Sequence, residues 1–367
     1  MIMKKTTLIC LFLIGYFATN LVAGEPFKGS QAIVRAEFLF KKEQVSFKSC
    51  HASTIEETSA GLIAAWFGGT EEKNPDVAIW ASRFINGKWT IPIEVANGVQ
   101  KDGSRFPTWN PVLYNAGKEL ILFYKVGPNC SDWWGEMKTS INNGETWSKS
   151  TRLPKGIWGP IKNKPVLLSN NVLLCPSSTE YDGERIHLES TSDGGRNWQK
   201  TEALNDGKEF SSIQPTILNY GNGKLQLLCR SQSRVILTTW STDNGKTWSH
   251  LERTQLPNPD SGIDAVTLKS GVQLLTYNHF NPKWDWESRN ILNVAISQDG
   301  VKWDGVAALE YDLDPDTEYS YPAVIQTKDG LVHITYTWNR KLIKHVVLDP
   351  NRFKTKPILN GIWPEEK

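Results

Sequence analysis

Cysteine is scarce in this chain. There are five in 367 residues, and Cys10 lies in an N-terminal stretch expected to be removed. The other four, Cys50, Cys130, Cys175 and Cys229, are too few to make a disulfide scaffold of a chain this size. Cys175 and Cys229 each end a strand-like apolar run and read as buried free thiols. An excess of either charge is also missing, with 41 basic against 39 acidic side chains and no long run of one sign, which argues against non-specific nucleic-acid binding. Almost nothing has the periodicity of a helix. Beyond the first 24 residues no apolar run is long enough to span a membrane. Histidines are few; His51, His279 and His333 form no ligand motif, and His333 and His345 are expected on strand faces. No metal or other cofactor is signalled.

The chain opens with Lys4 and Lys5, continues through an apolar stretch over 8–18, and reaches small residues at Val22, Ala23 and Gly24. Those three features in that order predict a secretory signal peptide over 1–24. Reading the stretch as a buried strand would leave the lysines and the small-residue exit to coincidence. The expected product is a secreted or periplasmic chain of residues 25–367, monomeric and without membrane insertion. Its length would suit two average domains or one large all-β domain.

An internal repeat decides for one domain. A turn in which Ser or Thr, Asp or Asn, Gly and Trp keep nearly constant spacing occurs as Ser140-Ile-Asn-Asn-Gly-Glu-Thr-Trp147, Thr191-Ser-Asp-Gly-Gly-Arg-Asn-Trp198 and Ser241-Thr-Asp-Asn-Gly-Lys-Thr-Trp248, with degenerate copies ending at Trp89 and Trp303. Successive tryptophans lie 58, 51, 50 and 55 residues apart, the length of a four-stranded propeller blade with its loops. The Asp or Asn accepts backbone hydrogen bonds within the turn, the Gly takes a backbone angle others avoid, and the Trp packs between strands. Such turns identify a fold and carry no chemistry.

A second repeat runs ahead of the first and marks the innermost strand of each blade: His51-Ala-Ser-Thr-Ile, Asn110-Pro-Val-Leu, Lys164-Pro-Val-Leu-Leu, Gln214-Pro-Thr-Ile-Leu, Asp264-Ala-Val-Thr-Leu and Tyr321-Pro-Ala-Val-Ile. Six copies predict an all-β, six-bladed β-propeller. The last blade has no turn motif of its own, so its outermost strand is expected from the N-terminal run at 32–40, which closes the ring and removes open edges. At one phase of this repeat the apolar neighbours stay alike while the polar residue changes: His51, Asn110, Lys164, Gln214, Asp264, Tyr321. That is the pattern of a binding site on a symmetric scaffold, whereas the plainer reading is polar capping of strand ends. The ends of the second strands add Glu71, Glu72, Lys125, Glu180, Arg230, Asn278, His279 and Arg340, flanked by Trp66, Trp109, Trp133, Trp134, Trp284 and Trp286, whose rings suit the flat faces of sugars.

The turn motifs resemble the Asp-boxes, or BNR repeats, of the sialidase superfamily, and the resemblance covers nearly all of residues 25–367. Leu-Leu-Cys-Arg230 resembles the blade supplying one carboxylate-binding arginine, and Ser288-Arg289-Asn-Ile-Leu-Asn-Val-Ala resembles the strand supplying another. Glu318-Tyr319-Ser-Tyr321 resembles the segment bearing the tyrosine nucleophile, with Tyr319 the better match and Tyr321 close by. Two departures stand out. Cys50-His51-Ala-Ser replaces the Phe-Arg-Ile-Pro-like motif, putting His51 where a third arginine would be, and Gln214 falls where the tyrosine's activating carboxylate would be. The family's acid/base aspartate has only Glu71, Glu72 or Asp76 as counterparts, in the loop at 69–76.

These departures argue against ordinary sialic-acid hydrolysis. Two arginines able to grip a carboxylate, helped by Lys164, with a tyrosine and a histidine beside them, suit elimination at a terminal uronic acid of an acidic polysaccharide fragment, as a lyase or a dehydratase. On this reading His51, Tyr319 and Tyr321 are the catalytic candidates, and Arg230, Arg289, Lys164, Gln214, Asn110, Asp264 and His279 bind the acidic oligosaccharide. The alternatives are an exo-acting hydrolase of an anionic sugar with Glu71 as its acid, and a propeller that binds glycans without turnover.

Overall fold

The computed structural model describes residues 30–280 and 288–364. The expected signal peptide, Cys10, Trp284 and Trp286 lie outside the described residues. Six antiparallel sheets follow one another along the chain and form the six blades of a β-propeller. Blade 1 is built from Ser49–Thr58, Gly61–Gly69 and Ala78–Ile85, with Lys88–Trp89 and Ile93–Ala96 at its outer edge. Blade 2 comprises Thr108–Asn115, Leu120–Val126, Trp134–Ser140 and Thr151–Arg152; blade 3, Val166–Leu167, Leu173–Thr179, Arg185–Thr191 and Gln199–Lys200. Blade 4 comprises Ser212–Gly221, Lys224–Ser231, Val235–Ser241 and Glu252–Pro257. Blade 5 comprises Asp264–Thr267, Gln273–Tyr277, Ile291–Ser297 and Asp304–Tyr311, extended by Lys356–Pro357 from the C-terminal segment.

Blade 6 takes Tyr319–Gln326, Val332–Trp338 and Leu342–Leu348 from the end of the chain and Ile33–Phe38 from its beginning. Ile33–Phe38 pairs antiparallel with Leu342–Leu348, so the expected closure is present. The second strand of each blade is covered on both faces by neighbouring blades, which is why it reads as a continuous apolar run. Leu120–Val126 is buried at every position.

The Asp-box turns behave as their residues dictate. Gly245 N–H donates to Ser241 Oγ at 2.9 Å and Thr247 N–H to Asp243 Oδ1 at 2.9 Å, while Trp248 Nε1 donates to Gly245 O at 3.0 Å. Gly144, Gly195 and Gly245 have φ of +79°, +85° and +79°, and a side chain at these places would run into Ile63, Met137 and Leu174 of the preceding blade. Each turn therefore keys its blade onto the one before it. Cys50, Cys130, Cys175 and Cys229 are all free thiols, and Cys175 and Cys229 are fully buried.

Candidate active site

Four innermost strands break their ladders at the same point: between His51 and Thr54, Trp109 and Val112, Ile213 and Thr216, and Ser320 and Ala323. A β-bulge of this kind re-aims a side chain. At three of the breaks the first extra residue is left-handed although it is not glycine: Ala52 at φ 56°, Gln214 at 52° and Tyr321 at 52°. For a ring as bulky as tyrosine that conformation costs roughly 1–3 kcal/mol and must be held by its surroundings. The strain has a product, because it turns Tyr321 into the mouth of the central channel.

Tyr321 Oη receives a hydrogen bond from Arg230 Nη1 at 2.7 Å, and the Arg230 and Arg289 guanidinium carbons lie 5.8 and 5.7 Å from its ring centroid. Tyr319 takes the other side of the strand. It packs against Trp338 at 6.2 Å between ring centroids, and its hydroxyl donates to Asp312 Oδ2 at 3.3 Å. The better match to the family's nucleophile segment is therefore not the tyrosine that meets the arginines. Alternation along the strand, reset by the bulge, makes that choice.

Arg230 also bonds Asp260 Oδ1 through Nε at 2.7 Å and Gln214 Oε1 through Nη1 at 3.3 Å. Arg289 reaches Glu318 Oε1 at 3.3 Å and the Asp260 carbonyl at 3.1 Å. A third arginine, Arg340, joins them from the hairpin tip of blade 6. It bonds Glu318 Oε2 at 2.8 Å through Nε and Glu72 of blade 1 through Nη1. Arg340 thus ties blade 6 to blade 1 across the ring seam. Gln214 Nε2 donates to Glu180 Oε1 at 3.0 Å, so a carboxyl group stands directly behind the glutamine, and burial raises its pKa above the ordinary carboxylate value.

His51 precedes its bulge rather than occupying it, one residue off the expected phase, and pairs with Phe67 in the ladder. Its ring lies 4.1 Å from that of Tyr321, centroid to centroid, and Nδ1 is 2.9 Å from Thr337 Oγ1. Nε2 is buried and, among the described residues, has no hydrogen-bond partner. Burial, then Arg340, Arg289, Arg230 and Lys162, drive its pKa well below the usual histidine value, so the imidazole is neutral.

Several expected site residues go elsewhere. Lys164 Nζ bonds Asp264 Oδ2 and the Ala265 carbonyl, both at 2.8 Å, and Asp264 also accepts from Thr216 Oγ1 and Val324 N–H. This pair belongs to a channel level farther along the inner strands than Tyr321, where each charge neutralises the other. His279 is buried with Nδ1 2.7 Å from Tyr277 Oη and packs on Trp363, so it is a core side chain. Asn110 sits at the blade 2 bulge, with its carbonyl 3.4 Å from Lys125 Nζ; among the described residues no hydrogen bond links its side chain to the arginines. Glu71 is exposed to solvent, and the neighbouring Glu72 is the one that turns inward to Arg340. Asp76 caps its own loop by accepting from Thr70.

Among the described residues, the expected tryptophans brace rather than line the site. Trp66 stacks on Phe40 in the core, and Trp109 and Trp133 are buried against each other with centroids 5.6 Å apart. Trp134 is covered by Arg152 at 4.2 Å. Lys162 was not signalled by any motif. It is buried, two residues ahead of Lys164, with Nζ 5.7 Å from the centre of the Tyr321 ring. Glu318 stands inside a segment already singled out, and its sequence spacing to Tyr319 and Tyr321 is the signal that would have found it.

Residues 60–334 match the profile of the family described as BNR repeat-like domain. Comparison with curated proteins finds no match. Among solved structures, the NanB sialidase of Streptococcus pneumoniae is similar at 13% identity and a TM-score of 0.67, over 90% of this chain and 71% of that one. A protein of unknown function from Dyadobacter fermentans is similar at 15% identity and a TM-score of 0.67, over 86% and 98%. The Trypanosoma rangeli sialidase is similar at 18% identity and a TM-score of 0.64, over 83% of this chain and 55% of that one. At these identities the likeness concerns the fold.

Proposed function

The chain belongs to the BNR repeat-like domain family, and we propose that its site performs β-elimination on a terminal uronic acid of an oligosaccharide cut from an acidic polysaccharide, outside the cytoplasm. One observation carries the reading: the His51 ring lies 4.1 Å from that of Tyr321, which Arg230 holds through its hydroxyl, with Arg289 and Arg340 close by. Arg230, Arg289 and Arg340 neutralise the substrate carboxylate, which makes the adjacent C5 proton removable. His51 Nε2 takes that proton, the C5–H electron pair becomes the C4=C5 double bond, and the C4–O bond breaks. Tyr321 hands its phenolic proton to the departing oxygen, and Arg230 stabilises the phenolate that remains. A sugar leaving makes the enzyme a lyase; water leaving makes it a dehydratase.

Glu180 favours a second reading, hydrolysis of an anionic sugar. Its buried carboxyl, directly behind Gln214 and with a pKa raised by that burial, is the side chain that would have to serve as the acid. The test is a time course with oligosaccharides ending in a saturated uronic acid, following the ultraviolet absorbance of the conjugated double bond, with a sialoside run in parallel. Absorbance that grows with the wild-type protein and is lost in His51→Ala supports elimination. Sugar release without absorbance overturns it in favour of hydrolysis, and binding without either product leaves a glycan-binding propeller.

A further inference from the structure

We propose that Lys162 is a positioning residue, whose ammonium group locks Tyr321 in its strained, site-facing conformation by bridging three blades beneath it. The three N–H bonds of Nζ are all spent: on Asn163 Oδ1 at 2.9 Å in its own blade 3 segment, on the Ile263 carbonyl at 2.9 Å entering blade 5, and on the Pro322 carbonyl at 2.6 Å in blade 6. Pro322 is the second residue of the bulge whose first residue is Tyr321. Gly262, next to Ile263, leaves so little room that an added Cβ would stand 3.2 Å from the Tyr321 ring and 3.3 Å from Lys162 Cε. One cation thus fixes the peptide after Tyr321 and the backbone under its ring. A tyrosine at φ 52° needs such a clamp, because it has no intrinsic reason to stay there.

The clamp needs its charge. A neutral amine keeps two donors for three acceptors, leaving one buried carbonyl unpaired. Burial pulls the lysine down to about 7 against the attraction of Asp264, with Lys164 and Arg230 pushing the same way as burial. The groups facing it are Asp264 and Tyr321, with Lys164, Arg230 and His51 close enough to interact. Lys125 is a second buried lysine that bridges blades through the Pro160 and Ile161 carbonyls, and it serves as a control for a purely structural role.

The inference rests on the site described above, but its first test does not require turnover. Crystal structures of the wild type and Lys162→Met are expected to show Tyr321 released from Arg230 and returned to negative φ in the variant; an unmoved Tyr321 overturns the proposal whatever the reaction proves to be. On an active substrate, Lys162→Met is expected to lose about 10²-fold in kcat with KM within about threefold, the effect of a misplaced catalytic group. Lys162→Arg, charged at every working pH, is expected to keep Tyr321 in place and to abolish an alkaline loss of activity near pH 7. Lys125→Met is expected to lower stability and leave that alkaline limb unchanged. An alkaline limb that survives in Lys162→Arg, or disappears in Lys125→Met, counts against Lys162. Failure of every substrate with Tyr321 still released in Lys162→Met overturns the elimination reading alone.

Discussion

His51 and Tyr321, from the first and last blades of the ring, lie with their rings 4.1 Å apart, and the two blades meet through the same residues that build the site. Thr337 of blade 6 contacts His51 Nδ1 at 2.9 Å and receives the Ala52 N–H at 3.2 Å. Cys50 N–H donates to the Arg340 carbonyl at 2.9 Å. Closure of the propeller and assembly of the site are therefore one event.

The two tyrosines separate cleanly in function. Tyr321→Phe is expected to lose on the order of 10²- to 10⁴-fold in kcat/KM, the usual worth of a proton-transferring group. Tyr319→Phe gives up the hydroxyl's hydrogen bonds with Asp312, at 3.3 Å, and with Thr317, and is expected to leave turnover within about twofold, with a stability loss of about 0.5–1.5 kcal/mol in urea unfolding. Equal losses in both variants would contradict the bulge geometry.

Arg340→Met removes the guanidinium that holds both Glu318 and Glu72. Charged hydrogen bonds of this kind are worth about 1.5–3 kcal/mol, so the affinity for a uronate measured by calorimetry is expected to fall by about 10- to 100-fold. The methyl ester of the same sugar is expected to bind wild type and variant alike. A uronate affinity that survives the substitution would remove Arg340 from the binding set.

Gly262→Ala places a methyl group 3.2 Å from the Tyr321 ring. The ring is expected to shift away from Arg230, lowering kcat by about tenfold or more while the melting temperature changes little. A fully active Gly262→Ala protein would mean that the ring position tolerates displacement.

Acid is expected to weaken the fold. Burial holds His279 at about 3 and His333 at about 4, and it lowers His345 as well. Above pH 6.5 these histidines are neutral in both states and the fold has their full contribution. As pH falls below 6.5 the unfolded chain binds protons that the folded chain refuses, at a cost of about 1.4 kcal/mol per pH unit for each histidine, until the folded value is reached. Glu56, raised to about 7 by burial, works in the opposite sense between pH 4.5 and 7, where its folded form holds the extra proton, and Glu180, also raised by burial, works in the same sense as Glu56. The histidines outnumber these two carboxyls, so melting temperatures are expected to drop from pH 6.5 to 4.5, and His279→Asn to flatten that slope. A melting temperature constant over this range would contradict the assignment.

Much of the architecture is legible in the chain because it rests on local chemistry. Each Asp-box closes within eight residues, with Ser241, Asp243, Gly245, Thr247 and Trp248 bonding to one another, so it survives as a motif and its period counts the blades. The strand runs are equally local, since burial on both faces demands apolar residues throughout. Arg230 also stands at the marked end of such a run, whereas Arg289 is pointed to only by the resemblance of its strand to that of the sialidases.

What the sequence could not decide is direction. A bulge adds one residue and reverses which side chains face the channel, so Tyr321 rather than Tyr319 meets Arg230, and His51 turns toward blade 6. Arg340 and Lys162 carry no motif, because their partners, Glu72 and the Pro322 carbonyl, come from blades far away in the chain. Lys164 and Asp264 shared the expected phase yet neutralise each other, since a cation and a carboxylate brought together by ring closure bind before any ligand arrives. Local hydrogen bonding and burial wrote the fold into the sequence, while the site depends on register and on which blades the closed ring sets side by side.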